Sequence, residues 1–323
     1  MVKITFKDVG QGDSIIIEWT IENGDSKIGI IDCKNKAGKN PVLDHIIKEK
    51  IQEIEFIILS HPHTDHYSGM TKLLNYCLSN NIKINKFCHT LKDIEVEYWK
   101  YLEPNITNAK ELLSVFEVIE NSYNKNLQEI IKLDFDYRIY LTKEYYLRCL
   151  SPSHLEKSEY ISTLGKIPEK SRMKRSRVAN LLSTLFKLKL DDKFILFTSD
   201  VEKITLQRIR DKNLNLFADK INLLSQIPHH GSETNHEPSF WSALAKAETC
   251  CAMISAGEHK SYNHPHFEVI KYFSTLGYNV EATNIINGMK NYVNDIQLRS
   301  LALDSDSFIA EEFYVSGDKI YEF

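Results

Sequence analysis

Long hydrophobic runs are missing from this chain, and so are paired cysteine motifs, low-complexity linkers, internal repeats and any strong excess of one charge. No apolar stretch approaches the roughly 20 residues that cross a bilayer, which excludes a transmembrane helix as the organising element. The first residues, Met1-Val-Lys-Ile-Thr-Phe-Lys-Asp8, lack the apolar segment of a secretory signal, so a cytoplasmic location without a membrane partner is expected. The cysteines (Cys33, Cys77, Cys88, Cys149, Cys250 and Cys251) are scattered and no Cys-x-x-Cys occurs. That spacing argues against a disulfide framework or a zinc knuckle and for reduced core thiols. The net charge is −4, so there is no global basic field, and any nucleic-acid surface must be a local patch.

What is present suits a globular protein. The 323 residues are 42% hydrophobic and 26% charged, enough for one large core or two modest ones. Residues 2–6 and 14–19 are apolar or alternating and read as strands around the turn Asp8-Val-Gly-Gln-Gly-Asp13-Ser. Ile28–Asp32 is a strand ending on an acid, residues 42–52 have helical spacing, and Phe56–Leu59 is a short buried strand. Met70, Leu73, Leu74, Cys77 and Leu78 give a helix. Residues 91–135 read as a helical insertion or cap, with helical patterning over Ala109–Leu133. Tyr137–Leu150 is strand-like, and 153–179 is a polar loop region. Leu185–Leu190 and Phe194–Thr198 form a hairpin across Asp191-Asp192. Leu223–Ile227 and Ala252–Ser255 are strands, Phe267–Leu276 is a helix stopped by Gly277, and Phe313–Phe323 reads as a C-terminal hairpin.

The most informative stretch follows the Phe56–Leu59 strand. Ser60-His61-Pro-His63-Thr-Asp65-His66 places three imidazoles and a carboxylate within six positions. A helix would scatter these side chains around its axis, whereas a loop leaving a strand end can turn several of them onto one point. Imidazole nitrogen and carboxylate oxygen are ligands for zinc, manganese or iron. The same logic, an apolar strand running into ligand-type residues, recurs at Asp32, at Ser199-Asp200, at His229-His230 and at His264-Pro-His266.

Asp32, the His-x-His-x-Asp-His run at 61–66 and Asp200 closing a strand resemble the metallo-β-lactamase superfamily. More narrowly, the chain is similar to the soluble hydrolase domain of ComEC-type DNA-uptake competence proteins. That likeness rests on Asp8–Ser14, Ser60–His66, Asn180 with Ser183, Ser199-Asp200, His229-His-Gly-Ser232 and Asn263-His-Pro265. It implies a four-layer αββα sandwich. The chain reads as a hydrolase domain over 1–290 containing the 91–135 insertion, with a C-terminal extension, 291–323, packed on it; the insertion and the extension are not part of the likeness. It implies one or two Zn²⁺ or Mn²⁺ ions. His61 and His63 would hold the first, Asp65 and His66 the second, and Asp200 would bridge them. Two such ions roughly 3.5–4 Å apart activate a metal-bound hydroxide and stabilise both oxygens of a displacement. Asp65 would also orient the water, and Asp32 would hold the histidine loop through hydrogen bonds. His264 would be a final ligand, and His266 would begin the following helix. His229 and His230 would each serve as general acid or as ligand.

Asn180 stands where many members of the superfamily carry a ligand histidine. Either it or His154 completes the first metal site. The basic residues Lys166, Lys170, Arg172, Lys174, Arg175 and Arg177 have two readings, a solvated loop or a phosphate-contacting one. In the second reading Lys174, Arg175, Arg177 and Ser232 would contact substrate. His45, His89, His236 and His259 read as structural or surface residues. The membrane segments of competence proteins have no counterpart here, so transport does not carry over. The function expected is a metal-dependent phosphodiesterase or nuclease acting on DNA or RNA. The alternatives are a hydrolase of a small phosphodiester or ester, or a non-catalytic metal-stabilised module with a protein partner.

Overall fold

The computed structural model describes residues 1–91, 99, 101–168, 170–218, 220–259, 261–302 and 313–323. Its fourteen strands form two seven-stranded mixed sheets. Strands β1 (Val2–Phe6), β2 (Ile15–Thr20), β3 (Ser26–Ile31), β4 (Glu53–Leu59), β5 (Lys83–His89) and β6 (Leu127–Lys132) run in order across the first, and β14 (Lys319–Glu322) extends it beyond β1. Strands β7 (Arg138–Tyr140), β8 (Tyr146–Ser151), β9 (Leu185–Leu190), β10 (Lys193–Phe197), β11 (Ile221–Gln226), β12 (Lys246–Ile254) and β13 (Asn279–Ala282) run in order across the second. In each sheet the earlier strands pair antiparallel and the later ones parallel. The two halves of the chain thus repeat one topology, although their sequences show no repeat.

Side-chain alternation builds three apolar layers. On β2, Ile15, Ile17 and Trp19 turn between the sheets, where they meet Phe186, Leu188, Ile195 and Phe197 of the second sheet. Ile16 turns outward to helices Pro41–Lys48, Met70–Ser79 and Ile106–Ser122, packing with Leu43, Leu73, Leu112 and Val115. On the far side, helices Lys203–Asn213, Phe267–Thr275 and Asn287–Ala302 lay Ile209, Phe273 and Tyr292 over Leu196, Ala252 and Val280. Strand β4 is buried on both faces, with Phe56 and Ile58 inward and Ile57 and Leu59 outward. This is why its sequence reads as a continuous apolar run rather than an alternation. The result is the expected αββα sandwich. All six cysteines are unpaired thiols, and burial pushes the Cys251 thiol up to about 11 and those of Cys77, Cys149 and Cys250 to about 12. Among the described residues no helix is long and apolar enough to cross a membrane.

Three local expectations fail. The helix expected over Ala109–Leu133 ends at Ser122, and Leu127–Lys132 pairs parallel with β5 as β6. Asn124, at φ 60°, breaks the helical spacing, and tertiary pairing overrides the residual period. The remainder of that expectation, at 92–98 and 100, lies outside the described residues. The 153–179 region is not a loop. Helix His154–Lys166, opened by a Ser153/Glu156 capping box, is followed by helix Arg172–Val178. The C-terminal hairpin is a single strand, β14, whose partner is β1; residues 303–312 lie outside the described residues. The hairpin of β9 and β10 across Asp191-Asp192 forms as expected, with Asp191 at φ 54°.

Gly29 illustrates how tight the layer between the sheets is. It sits opposite Phe56 in the β3–β4 register, and a Cβ there would lie 2.1 Å from the Phe56 ring, which itself stacks on Trp19. Gly29→Ala should cost about 1–3 kcal/mol through overpacking. The expected readout is a lower urea midpoint with an unchanged m-value.

Candidate metal centre

The parallel strands of both sheets end on one edge of the sandwich. Asp32 follows β3, Ser60–His66 follow β4, Ser199 and Asp200 follow β10, and His229 and His230 follow β11. The loop after β12 carries His264. Loops at the carboxyl ends of parallel strands are where open α/β sheets place their chemistry. The backbone there adopts the left-handed conformation repeatedly, at Asp32 (φ 62°), Ser199 (47°), His229 (48°) and His230 (56°). Each such residue costs on the order of 1–3 kcal/mol, so this edge is strained and must be held by its surroundings. Gly12 (φ 136°) passes so close to the histidine loop that a Cβ would lie 2.2 Å from the Asp65 carbonyl.

Asp200 lies at the middle, almost fully buried. Its Oδ1 is 3.6 Å from His66 Nε2 and 3.6 Å from His230 Nε2. Its Oδ2 is 3.4 Å from His229 Nε2 and 3.8 Å from His61 Nε2. One carboxylate therefore divides the cluster in two. On one side are His66, His230 and Asp65, whose Oδ2 is 3.5 Å from His230 Nε2 and whose Oδ1 is 4.0 Å from His66 Nε2. On the other are His61 and His229, with His63 Nδ1 3.1 Å from His61 Nε2.

The far side of each ring is tied down. His66 Nδ1 donates to Asp32 Oδ2 at 2.7 Å, and Asp32 also accepts from the Ser60 amide (2.8 Å) and hydroxyl (2.5 Å). His230 Nδ1 donates to the Ser255 carbonyl at 3.0 Å. His63 Nε2 donates to the Ser176 carbonyl at 3.1 Å, which leaves Nδ1 facing His61. His61 Nδ1 meets Ser199 Oγ at 3.2 Å. These partners fix the rings so that Nε2 of His61, His66 and His230 and Nδ1 of His63 face inward, as a ligand histidine requires. Behind them, Gln226 accepts from the Thr198 and Ser199 amides through Oε1 and donates to Asp13 Oδ2 at 2.8 Å through Nε2, joining the two sheets at this edge.

The residues fit a divalent cation. His66 Nε2, His230 Nε2 and Asp200 Oδ1 are buried without any hydrogen-bond partner, and with Asp65 their ligand atoms lie within 4.8 Å of one another. Three orphaned polar atoms converging in this way are costly unless something binds them. The charge balance agrees. Burial works against the His66 imidazolium, but Asp32 and Asp200 outweigh it and hold its pKa well above the ordinary value. Burial likewise opposes the His230 charge, yet the Asp200 and Asp65 carboxylates beside it lift it to about 9. The buried Asp200 and the partly exposed Asp65 both stay ionised because imidazoles surround them. On the other half, burial keeps His61 and His229 neutral. The donor set is nitrogen and oxygen without thiolate, which suits zinc or manganese.

The other sequence candidates separate. Asn180 reaches the cluster only through His229: its Nδ2 is 3.4 Å from His229 Nδ1, and its Oδ1 is buried without a partner. Turning that amide over would set Oδ1 against an Nδ1–H and free His229 Nε2 for the centre. His154 is exposed, opens its helix and contacts only Ser158 (3.4 Å), away from the cluster. His264 stands edge-on to His229, ring centroids 5.4 Å apart, outside the four-residue group, and burial holds it neutral with a pKa of about 3. Arg175, expected toward substrate, is instead turned inward. It donates to the Ile167 carbonyl at 3.0 Å and stacks 4.3 Å over Tyr101, because its helix presents that face to the core. Ser232 is buried, its hydroxyl 2.9 Å from that of Thr234. Lys174 and Arg177 are exposed on helix Arg172–Val178, whose Ser176 holds His63. His45 binds Glu18, His89 and His236 are neutral residues with pKa values of about 4, and His266 caps helix Phe267–Thr275.

Sequence reasoning gave no role to Asp13, Ser60, Ser176, Ser199, Gln226 or Ser255. Asp13, Ser60 and Ser199 lie inside the quoted motifs, which was a usable signal. Ser176, Gln226 and Ser255 act partly through backbone carbonyls or across sheets and carry no local signature.

No protein-family profile matches this chain, and no curated protein matches it. Solved structures that it resembles include the metallo-β-lactamase fold protein YhfI from Bacillus subtilis, with 11% identity over 87% of this chain and 96% of that one and a TM-score of 0.46. A diphosphatase from the PhnP family aligns at 10% identity over 87% and 94% of the two chains, with a TM-score of 0.43. A long-form RNase Z from yeast aligns at 12% identity over 82% of this chain and 38% of that one, with a TM-score of 0.43.

Two protonated imidazoles predict proton-coupled metal uptake. His230 keeps its proton below about pH 9, and His66 also holds one at neutrality, so loading at pH 7 should release about two protons. Apparent affinity should rise with pH through about 9 as His230 and His66 give up their protons. Titration calorimetry in buffers of different ionisation enthalpy counts the protons, and His230→Gln should remove one. Asp32→Asn should weaken metal affinity roughly 10- to 100-fold by releasing the His66 ring, as read by chelator competition.

Proposed function

We propose that this protein is a metal-dependent phosphodiesterase acting on nucleic acid, with a site of the metallo-β-lactamase and ComEC hydrolase type. The observation that carries this reading is Asp200, whose two oxygens each face a separate group of imidazoles. Asp65, His66, His230 and Asp200 would hold one cation, and His61, His63, His229 and Asp200 a second. Bound there, Zn²⁺ or Mn²⁺ would supply Lewis acidity and make water acidic enough to ionise near neutral pH.

The chain's own groups do the remaining work. Asp65 is ionised and its side chain is a third exposed, so it can accept a hydrogen bond from an attacking water and set its direction. His229 and His230 aim Nε2 at Asp200, which makes them holders rather than free acids. Lys174 and Arg177 are exposed on the helix whose Ser176 fixes His63, which brings two cations to the neighbourhood of the site. That placement favours a substrate with phosphates beyond the scissile one.

Single- and double-stranded DNA and RNA, incubated with metal-loaded protein, test the reading. Cleavage should occur with Mn²⁺ or Zn²⁺ and fall by more than about 1,000-fold in Asp200→Asn, which loses an oxygen ligand to both sites. No cleavage of any of these at confirmed metal loading would overturn it. A Lys174→Ala/Arg177→Ala double variant should retain turnover of bis-p-nitrophenyl phosphate. It should lower the slope of log affinity against log salt for single strands by roughly 1.4, two phosphate contacts at about 0.7 each.

A further inference from the structure

A row of aromatic rings leads away from the metal centre. His229 touches Asn180, in the turn that follows the basic helix, and also meets His264 edge-on at 5.4 Å. His264 then stacks on Tyr262, centroids 5.4 Å apart and planes within 17°. Tyr262 in turn stacks on His259 at 4.7 Å and 23°. The inner end is buried, with His264 only 6% exposed, while Tyr262 is 42% exposed and His259 is exposed as well.

The inner ring of this row is fixed. The His264 carbonyl accepts from Asn287 Nδ2 at 2.5 Å, the Pro265 carbonyl accepts from the Gly288 amide at 2.9 Å, and the His266 amide donates to the Gly231 carbonyl at 3.0 Å. Where the loop leaves β12, Gly257 lies so close to the Gly10–Gln11 turn that a Cβ would fall 1.9 Å from the Gln11 amide nitrogen. The rings stack on one another, and the outer two, Tyr262 and His259, remain exposed. A planar ring from outside can extend the stack without moving the loop. Flat π-faces select for bases but not for their sequence, because every base has one. A base paired within a duplex hides both faces in its own stack, so this geometry selects an unpaired one.

We propose that Tyr262, with His259 and His264, is a stacking platform for an unpaired nucleobase of the substrate strand, beside the scissile phosphodiester. The proposal rests on the phosphodiesterase reading for its substrate class. It adds that the strand is gripped by a base at the aromatic row as well as by its phosphates at Lys174 and Arg177. The chain is then specific for single strands or frayed ends.

The test compares equilibrium binding, by fluorescence anisotropy, of a labelled oligothymidylate and of an abasic strand of the same length. Metal-loaded wild type, Tyr262→Ala and Tyr262→Trp are measured. Wild type should prefer the base-bearing strand by roughly 5- to 100-fold, the range expected for one base stacked on an aromatic ring. Tyr262→Ala should lose most of that preference while its affinity for the abasic strand, its metal content and its melting temperature stay unchanged. Tyr262→Trp should keep the preference. Equal binding of the two strands by wild type, or an undiminished preference in Tyr262→Ala, overturns the platform. So does absence of binding to either strand. Turnover of bis-p-nitrophenyl phosphate, measured alongside, reports on the phosphodiesterase reading separately, so the two can fail independently.

Discussion

Asp200 is the constraint on which the rest of this edge depends. It is a buried carboxylate with four imidazole nitrogens within 3.8 Å, two facing each oxygen. Burying one charge alone would be prohibitive, and burying it among neutral rings would be little better. The cluster is stabilised because some of the rings carry compensating charge: His66 and His230 hold protons, whereas His61 and His229 do not. A divalent ion would replace those protons by a stronger positive centre. The same electrostatics that keep the metal-free protein intact therefore prepare it to take up metal.

The scaffold around Asp200 serves to hold a strained backbone still. Left-handed residues at Asp32, Ser199, His229 and His230 persist because their neighbours leave no alternative. Asp32 binds both the Ser60 backbone and the His66 ring. Gln226 holds the Thr198 and Ser199 amides with one end and Asp13 with the other. The Ser60 and Ser199 hydroxyls meet at 2.8 Å, and the Thr184 amide donates to the Ser60 carbonyl at 3.0 Å, so the loops of the two sheets are joined directly across the centre. Each sheet supplies ligand-type residues that the other locks in place.

The surroundings divide by chemistry. Helix Arg172–Val178 turns Arg175 inward as a brace against Ile167 and Tyr101 while Lys174 and Arg177 face solvent. Glu103, itself buried, accepts from the hydroxyls of Thr64 (2.8 Å) and Tyr67 (2.6 Å), so the segment before helix Ile106–Ser122 supports the histidine loop from behind. The aromatic row of His264, Tyr262 and His259 starts from the edge-on contact of His264 with His229.

Much of the architecture could be read from the chain because period and chemistry coincide there. Phe56–Leu59 announces a doubly buried strand by its unbroken apolar run, and the ligand-rich loops after it and after Phe197 and Gln226 share one strand-then-ligand pattern. Where local pattern and tertiary pairing compete, the chain misleads: Leu127–Lys132 has residues compatible with a helix, yet β5 offers an open edge, and β14 crosses to β1 rather than folding back on itself. By itself the sequence determined which residue types stand at strand ends, since that requires only local periodicity. Which ring nitrogen faces inward, which oxygen of Asp200 each histidine meets, and that Arg175 braces rather than binds were decided by the tertiary structure. Those outcomes depend on partners such as Ser176, Ser255 and Ile167, whose backbone carbonyls leave no trace in the identity of the side chain.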